Sequence, residues 1–140
     1  RAPGEPIHDL WLRITVDTQF NIVDADAVSD AVPYPGYCDT IGSAYRQLIG
    51  LNLLQGFRRA VRERLAGKAG CTHLTELASV LPTATIQAFA GTVMPTRDGR
   101  HDDESSEPPF QLDRCHALRR DGPAVAKYYP RWIIRPVEPT

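Results

Sequence analysis

The fold is organised around one stretch, Gly70-Cys71-Thr72-His73-Leu74-Thr75-Glu76-Leu77, in which a glycine break passes into the start of a helix. Apolar residues recur there at three- and four-residue spacing, the period of one buried helix face: Leu74, Leu77, Ala78 and Leu81. The helix is therefore expected to begin at Cys71 or Thr72. Its free N–H groups and positive dipole end favour a thiolate over a thiol, so Cys71 is a candidate metal ligand or nucleophile.

The composition limits the classes of function that are open to this chain. Its 140 residues are expected to form a single domain over residues 1–140. The 16 basic and 17 acidic residues nearly balance, so no nucleic acid partner is predicted. No apolar run approaches the roughly 20 residues that span a bilayer, so no membrane is predicted either. Three cysteines, an odd number, favour free thiols in the cytoplasm over a disulfide framework.

Two stretches near the N-terminus predict an antiparallel hairpin. The first alternates with a period of two, which places one set of apolar residues on the buried face: Leu10, Leu12, Ile14 and Val16. After polar turn residues 17–21, a second strand over residues 22–31 has its own inward face: Val23, Ala25, Ala27, Ser29 and Ala31. Two strands alone are marginal in water, so helices, a protein partner or a segment upstream of Arg1 is expected to complete the sheet.

Helical periodicity predicts three helices after the hairpin. The first starts near Asp39 or Thr40 and stops at Gly50, and the second covers about residues 55–66. The third starts near Thr72 and meets Pro82, which is expected to kink or end it before residues 83–90 resume as helix. The predicted fold class is therefore α+β, with a small antiparallel sheet covered on one face by three or four helices.

The C-terminal third of the chain has a different sequence pattern. Residues 91–109 lack an apolar pattern and contain prolines and an acidic run, which predicts a mobile surface loop. Residues 110–140 are expected to form a C-terminal extension. In this extension, a short helix should reach Tyr129 and stop at Pro130, and Trp132 should dock an apolar tail on the domain.

Cysteine and histidine residues at the starts of elements are candidate metal ligands. Cys38 and Cys71 each precede a predicted helix, and His8 precedes the first strand at the same end of the sheet. Zinc and iron–sulfur clusters both accept thiolate and imidazole ligands. These three residues are therefore predicted to bind zinc or a cluster, with His73 or Asp9 as the fourth ligand or its support. Joint ligation of one metal would bring the two sulfurs to within about 4 Å of each other.

Two alternatives remain open from the same residues. Cys71 at a helix start is also a candidate nucleophile, with His73 or His116 as the general base. The cysteines of an interaction subunit would instead only pack, since a lone buried cysteine usually behaves as a small hydrophobe.

Three runs of sequence carry a family resemblance: Pro6-Ile7-His8-Asp9-Leu10-Trp11-Leu12-Arg13, Gly70-Cys71-Thr72-His73-Leu74, and Cys115-His116-Ala117-Leu118 with Tyr128-Tyr129-Pro130-Arg131-Trp132. Through them the chain resembles the bacterial domain-of-unknown-function 2889 family over nearly its whole length. The resemblance brings no established activity, and it implies a further N-terminal segment.

The order of elements also resembles that of the U-type iron–sulfur cluster scaffolds of the NifU and IscU kind. In this resemblance the hairpin is followed by Cys38 at the place of the second cluster cysteine and by Cys71 at the place of the third. His8-Asp9 stands near the place of the first cysteine. The resemblance therefore implies a cluster or metal site with a histidine at its first position.

Overall fold

An antiparallel hairpin forms the sheet of the fold. In the computed structural model, which describes residues 2–97 and 105–134, strand β1 covers Asp9–Val16 and strand β2 covers Ile22–Ala31. Alternate side chains of β1 pack against the core and the intervening ones are exposed. The predicted register of β1 is confirmed, with these residues inward: Leu10, Leu12, Ile14 and Val16.

The inward face of β2 differs from the predicted one where the strand begins. Ile22 is buried and Val23 is 53% exposed, whereas simple alternation places Val23 inward. Val16 pairs with Ile22 while the preceding residue of β1 pairs with Asp24, so Val23 is an extra residue that forms a β-bulge. Further along β2, two alanines keep their predicted burial: Ala25 and Ala27.

The turn between the strands is stabilised by Asp17. Its carboxylate accepts hydrogen bonds from the backbone N–H groups of Gln19 and Asn21 and from the Asn21 side-chain amide, at 2.8–3.0 Å. These bonds, led by the one from the Asn21 side chain, hold the pKa of Asp17 below its usual value because they favour the carboxylate. The polar turn therefore supports the pairing of β1 with β2.

The sheet has two strands within the described residues. Beside the start of β2, the backbone of residues 50–53 forms a short ladder: Ile22 N–H donates to the Leu51 carbonyl and Leu53 N–H donates to the Phe20 carbonyl, both at 2.9 Å. Completion of the sheet by an upstream segment or a protein partner stays a prediction.

Helices cover the inward face of the hairpin. A 3₁₀ helix spans Cys38–Leu48, helix α1 spans Phe57–Leu65, a short 3₁₀ turn spans Gly67–Ala69, and helix α2 spans Thr72–Phe89. They share one buried core with β2: Ile22, Ala25, Ala27, Tyr45, Leu48, Leu53, Phe57, Val61, Leu65, Leu74 and Ala78. The predicted α+β fold is confirmed. No helix in the described residues is both long enough and apolar enough to cross a membrane.

The 3₁₀ helix lies directly on β2. Its Gly42 faces the strand so closely that a Cβ atom there would collide with the carbonyl oxygen of Ala27. The absence of a side chain lets the helix approach, and Tyr45 and Leu48 become completely buried as a result.

Helix α2 differs from the sequence prediction in its buried face and does not end at Pro82, while a kink at Pro82 stays a prediction. It continues from Thr72 to Phe89 without ending at Pro82, and Pro82 itself is buried. Burial of the proline ring offsets the backbone hydrogen bond that proline cannot donate. The buried face consists of Leu74, Ala78, Pro82 and Thr85, whereas Leu77 is 40% exposed. The buried residues follow one another at intervals of four, four and three positions, so they form a single row along the helix. This row is narrower than the predicted face, which included Leu77.

Residues 90–140 form a compact unit separate from residues 1–89. Helix α3 spans Pro123–Tyr128 and a 3₁₀ turn spans Pro130–Trp132, which confirms the short helix predicted before Pro130. Trp132 packs on Leu112 and Val125 in the core of this unit. Within the predicted loop over residues 91–109, the segment 98–104 lies outside the described residues, so the mobility of the loop stays a prediction.

Candidate functional site

Cys71 lies immediately before helix α2. Its carbonyl accepts the N–H of Thr75 at 2.9 Å, which is the first hydrogen bond of the helix, so Cys71 is the N-cap residue. The prediction that the helix begins at Cys71 or Thr72 is confirmed. The N–H groups of the first turn have no acceptor within the helix and favour negative charge at this end.

A buried tyrosine holds the backbone of Cys71. The N–H of Cys71 donates to Tyr45 Oη at 3.0 Å, and the Tyr45 hydroxyl lies 2.8 Å from the Cys71 carbonyl oxygen. Thr75 Oγ1 is the third partner of the hydroxyl, also at 2.8 Å. The Tyr45 hydroxyl is neutral near pH 7 and can serve as both donor and acceptor, and burial raises its pKa further.

Gly70 packs into the same group of atoms. A Cβ atom at Gly70 would collide with the carbonyl oxygen of Leu65 and would lie 3.1 Å from both Tyr45 Oη and Thr75 Oγ1. Its backbone is extended, with φ −147°, so glycine is required here for close packing and not for an unusual dihedral angle. The glycine break before Cys71 is therefore part of the site.

His73, in the first turn of α2, brings an imidazole to the thiol. Its Nδ1 lies 3.9 Å from Cys71 Sγ. This contact follows from the local sequence, since the two residues are separated only by Thr72 at the point where the chain turns into the helix.

His8 adds a second imidazole from a distant part of the sequence. The ring centroids of His8 and His73 are 4.0 Å apart, with an angle of 38° between the ring planes. His8 precedes β1 and His73 opens α2, so the packing of α2 on β1 creates this contact. Both histidines are exposed. His73 thus contacts two other predicted site residues, Cys71 and His8.

A pocket of about 550 Å³ opens beside the two imidazoles. Its walls combine polar groups with apolar side chains that are unusually exposed for their size, including Leu77 and Val80. Glu76 supplies a carboxylate to the lining. The lining consists of His8, Leu10, Thr72, His73, Glu76, Leu77, Ser79 and Val80. A ligand therefore has open access to both imidazoles.

Cys38 does not join these contacts in the part of the chain that the structure describes. It opens the 3₁₀ helix, where its N–H bonds the Tyr34 carbonyl at 3.0 Å. An α-helix would place Cys38 and Tyr45, seven residues apart, within about 20° of each other around the axis. At three residues per turn they differ by about 120°, so Cys38 leaves the face that reaches Cys71. Its role as a ligand stays a prediction.

The remaining candidates lie in other environments. His8 and Leu10 both line the pocket, so strand alternation directs the intervening Asp9 to the opposite side of the hairpin. His116 belongs to the unit of residues 90–140, where its ring lies 3.2 Å from the Arg119 guanidinium. Across residues 2–97 and 105–134, no group of three or more His, Cys, Asp or Glu side chains is already arranged to hold a metal ion.

Sequence reasoning missed Tyr45 as a residue of the site. Its position in the apolar pattern of the first helix correctly indicates burial. The pattern carries no information about a hydrogen-bond partner 26 residues away. A hydroxyl within an otherwise apolar face is the one available signal, because a buried tyrosine hydroxyl usually has a partner.

Comparison with known proteins identifies a family but no function. Residues 1–87, more than half of the 140, match the family described as "Protein of unknown function (DUF2889)". The matched range contains the hairpin, the Cys71 site and the covering helices except the last two residues of α2. No curated protein and no solved structure matches the chain, so the resemblance to U-type scaffolds is not supported by these comparisons.

Proposed function

The chain belongs to the DUF2889 family, and we propose that it binds a zinc ion through Cys71, His73 and His8. The contact between Cys71 Sγ and His73 Nδ1, at 3.9 Å, carries this proposal. Zinc–sulfur and zinc–nitrogen bonds of normal length at a tetrahedral angle separate the two ligand atoms by about 3.6 Å. The pair therefore needs little movement to bind one ion.

His8 is the third ligand in this proposal, and it needs a larger adjustment. Two imidazoles on one tetrahedral ion have ring centroids about 5 Å apart, which is more than the 4.0 Å between His8 and His73. Because His8 is exposed and precedes the strand, its side chain can rotate away from the stacked position without disturbing the core. On zinc binding, the contact between the two imidazole rings would be replaced by coordination of both rings to the ion.

The mixture of ligand types favours zinc over an iron–sulfur cluster. Clusters are held mainly by thiolates, and only one thiol belongs to this group of contacts. Zinc accepts a mixed set of sulfur and nitrogen ligands, and three protein ligands leave a fourth position for water or a reactant. The adjacent pocket gives access to that position. Binding of Cys38 at the fourth position would require its helix to turn toward Cys71, and Asp9 lies on the opposite side of the hairpin.

Metal analysis of the purified protein tests this proposal. We expect about one zinc ion per chain after purification without chelators, and loss of that zinc on dialysis against a strong chelator at low pH, where the ligands are protonated. A chain that purifies without metal and does not take up added zinc would contradict the proposal. An iron–sulfur absorption spectrum with bound iron would assign the site to a cluster instead.

A second candidate function uses the same contact without metal. In it, Cys71 is a nucleophile at the helix N-terminus, His73 is the base, and the substrate occupies the adjacent pocket. Metal-free protein in which iodoacetamide modifies Cys71 much faster than Cys38 and Cys115 would favour it. If Cys71 neither binds metal nor reacts selectively, an interaction subunit with structural cysteines remains.

We place the protein in the cytoplasm, because its three cysteines are free and a zinc thiolate persists in a reducing compartment. The near balance of acidic and basic residues argues against a nucleic acid partner.

A further inference from the structure

Tyr45 links the hydrophobic core to the backbone of the candidate site. It belongs to the 3₁₀ helix, its exposed fraction is 0%, and apolar residues surround its ring. Its hydroxyl contacts two residues, Cys71 and Thr75, both at the start of α2. The hydroxyl is therefore placed by the core and directed at the helix that carries the thiol.

The geometry of these hydrogen bonds bears directly on the thiol. Tyr45 Oη lies within hydrogen-bond distance of both the N–H and the carbonyl oxygen of Cys71, at 3.0 Å and 2.8 Å. A single atom that contacts both polar groups of one residue restricts the rotation of its backbone, and so fixes the direction of the Cα–Cβ bond. The direction of that bond decides where Cys71 Sγ lies relative to His73.

We propose that Tyr45 is a positioning residue for the Cys71 thiol, acting through the backbone of Cys71. This role rests on the zinc site proposed above. The Tyr45 hydroxyl holds Cys71 at the start of α2, so that its sulfur already lies beside His73 Nδ1 before a metal binds. Preorganisation of this kind raises affinity, because the cost of ordering a ligand is met during folding and not during binding.

The Tyr45→Phe variant tests the role, since phenylalanine keeps the ring in the core and removes only the hydroxyl. We expect zinc affinity to fall by about 10- to 100-fold, the usual effect of losing a group that orients a metal ligand. Circular dichroism and a cooperative thermal transition should show that the variant is folded. The Cys115→Ser variant, altered at an exposed residue of the other unit, should bind zinc as the unmodified protein does.

The outcomes separate this role from the zinc site itself. A folded Tyr45→Phe protein with unchanged zinc affinity overturns the positioning role and leaves the proposed function intact. If the unmodified protein does not bind zinc, iodoacetamide modification of each cysteine decides the question. A several-fold change in the modification rate of Cys71 in the variant, with unchanged rates at Cys38 and Cys115, supports positioning. Equal rates at Cys71 overturn it.

Hydrogen exchange on the unmodified protein covers the case in which the variant does not fold. The N–H of Cys71 donates to a buried hydroxyl, so it should exchange more slowly than the N–H groups of Thr72 and His73, which have no acceptor in the first helical turn. Exchange of the Cys71 N–H at the rate of these neighbours would overturn the positioning role, whatever the result with zinc.

Discussion

Replacing Cys71 with serine is expected to lower zinc affinity by more than about 100-fold, since even the groups that merely orient a metal ligand typically contribute 10- to 100-fold. A serine hydroxyl is not deprotonated near neutral pH and is a poor replacement for a thiolate. Competition with a colour-forming zinc chelator measures the change. The fold should survive, because Cys71 is only partly buried at the margin of the core.

Two further cysteine variants make this result specific. Cys115→Ser is the matched control and should retain full affinity, because Cys115 is exposed in the other compact unit. Cys38→Ser decides the open question about the fourth ligand: a loss comparable to that of Cys71→Ser would make Cys38 a ligand, and no loss would leave the fourth position open. Undiminished zinc binding in Cys71→Ser would contradict the proposed site.

Replacing Gly70 with alanine is expected to destabilise the metal-free protein by about 2–3 kcal/mol, the upper part of the range for forcing atoms into a packed region. The added methyl group would collide with the Leu65 carbonyl, which belongs to the backbone and cannot rotate away. It would also lie only 3.1 Å from Tyr45 Oη, which positions Cys71. Zinc affinity should therefore fall together with stability. Denaturant unfolding followed by circular dichroism gives the change in unfolding free energy.

Gly36→Ala provides a contrasting control for this variant. Gly36 has φ +81° and open space around its Cβ position. Alanine there should lower the free energy of unfolding by only about 1 kcal/mol, the strain of a left-handed backbone, and should leave zinc affinity unchanged. Suppose that Gly70→Ala lowers the free energy of unfolding no more than Gly36→Ala does, and that it binds zinc with normal affinity. The close packing around Cys71 would then have no consequence for the site.

Local periodicity accounts for the parts of the fold that the sequence predicts well. Alternation over β1 places its inward face correctly, because each side chain's direction depends only on its neighbours. The bulge at Val23 and the exposure of Leu77 depend on pairing and packing with other elements, which periodicity does not contain. The 3₁₀ geometry of the first helix is a similar case, since an α-helical period predicts nearly the same buried residues.

The candidate site shows the same difference between local contacts, which the sequence predicts, and contacts between distant elements, which it does not. Cys71 and His73 are two residues apart, so the sequence alone predicts their proximity. His8 reaches His73 because β1 packs beside α2, in agreement with its predicted place at that end of the sheet. Tyr45 acts across 26 residues through a hydrogen bond, and no spacing rule indicates such a bond.

X-ray absorption spectroscopy of the zinc-loaded protein tests the central claim most directly, because it identifies the atoms bound to the metal. The proposed site predicts one sulfur at about 2.3 Å and nitrogen ligands at about 2.0 Å, with the imidazole pattern of His73 and His8. A first shell of oxygen and nitrogen without sulfur would contradict the claim, as would a protein that does not retain zinc through gel filtration.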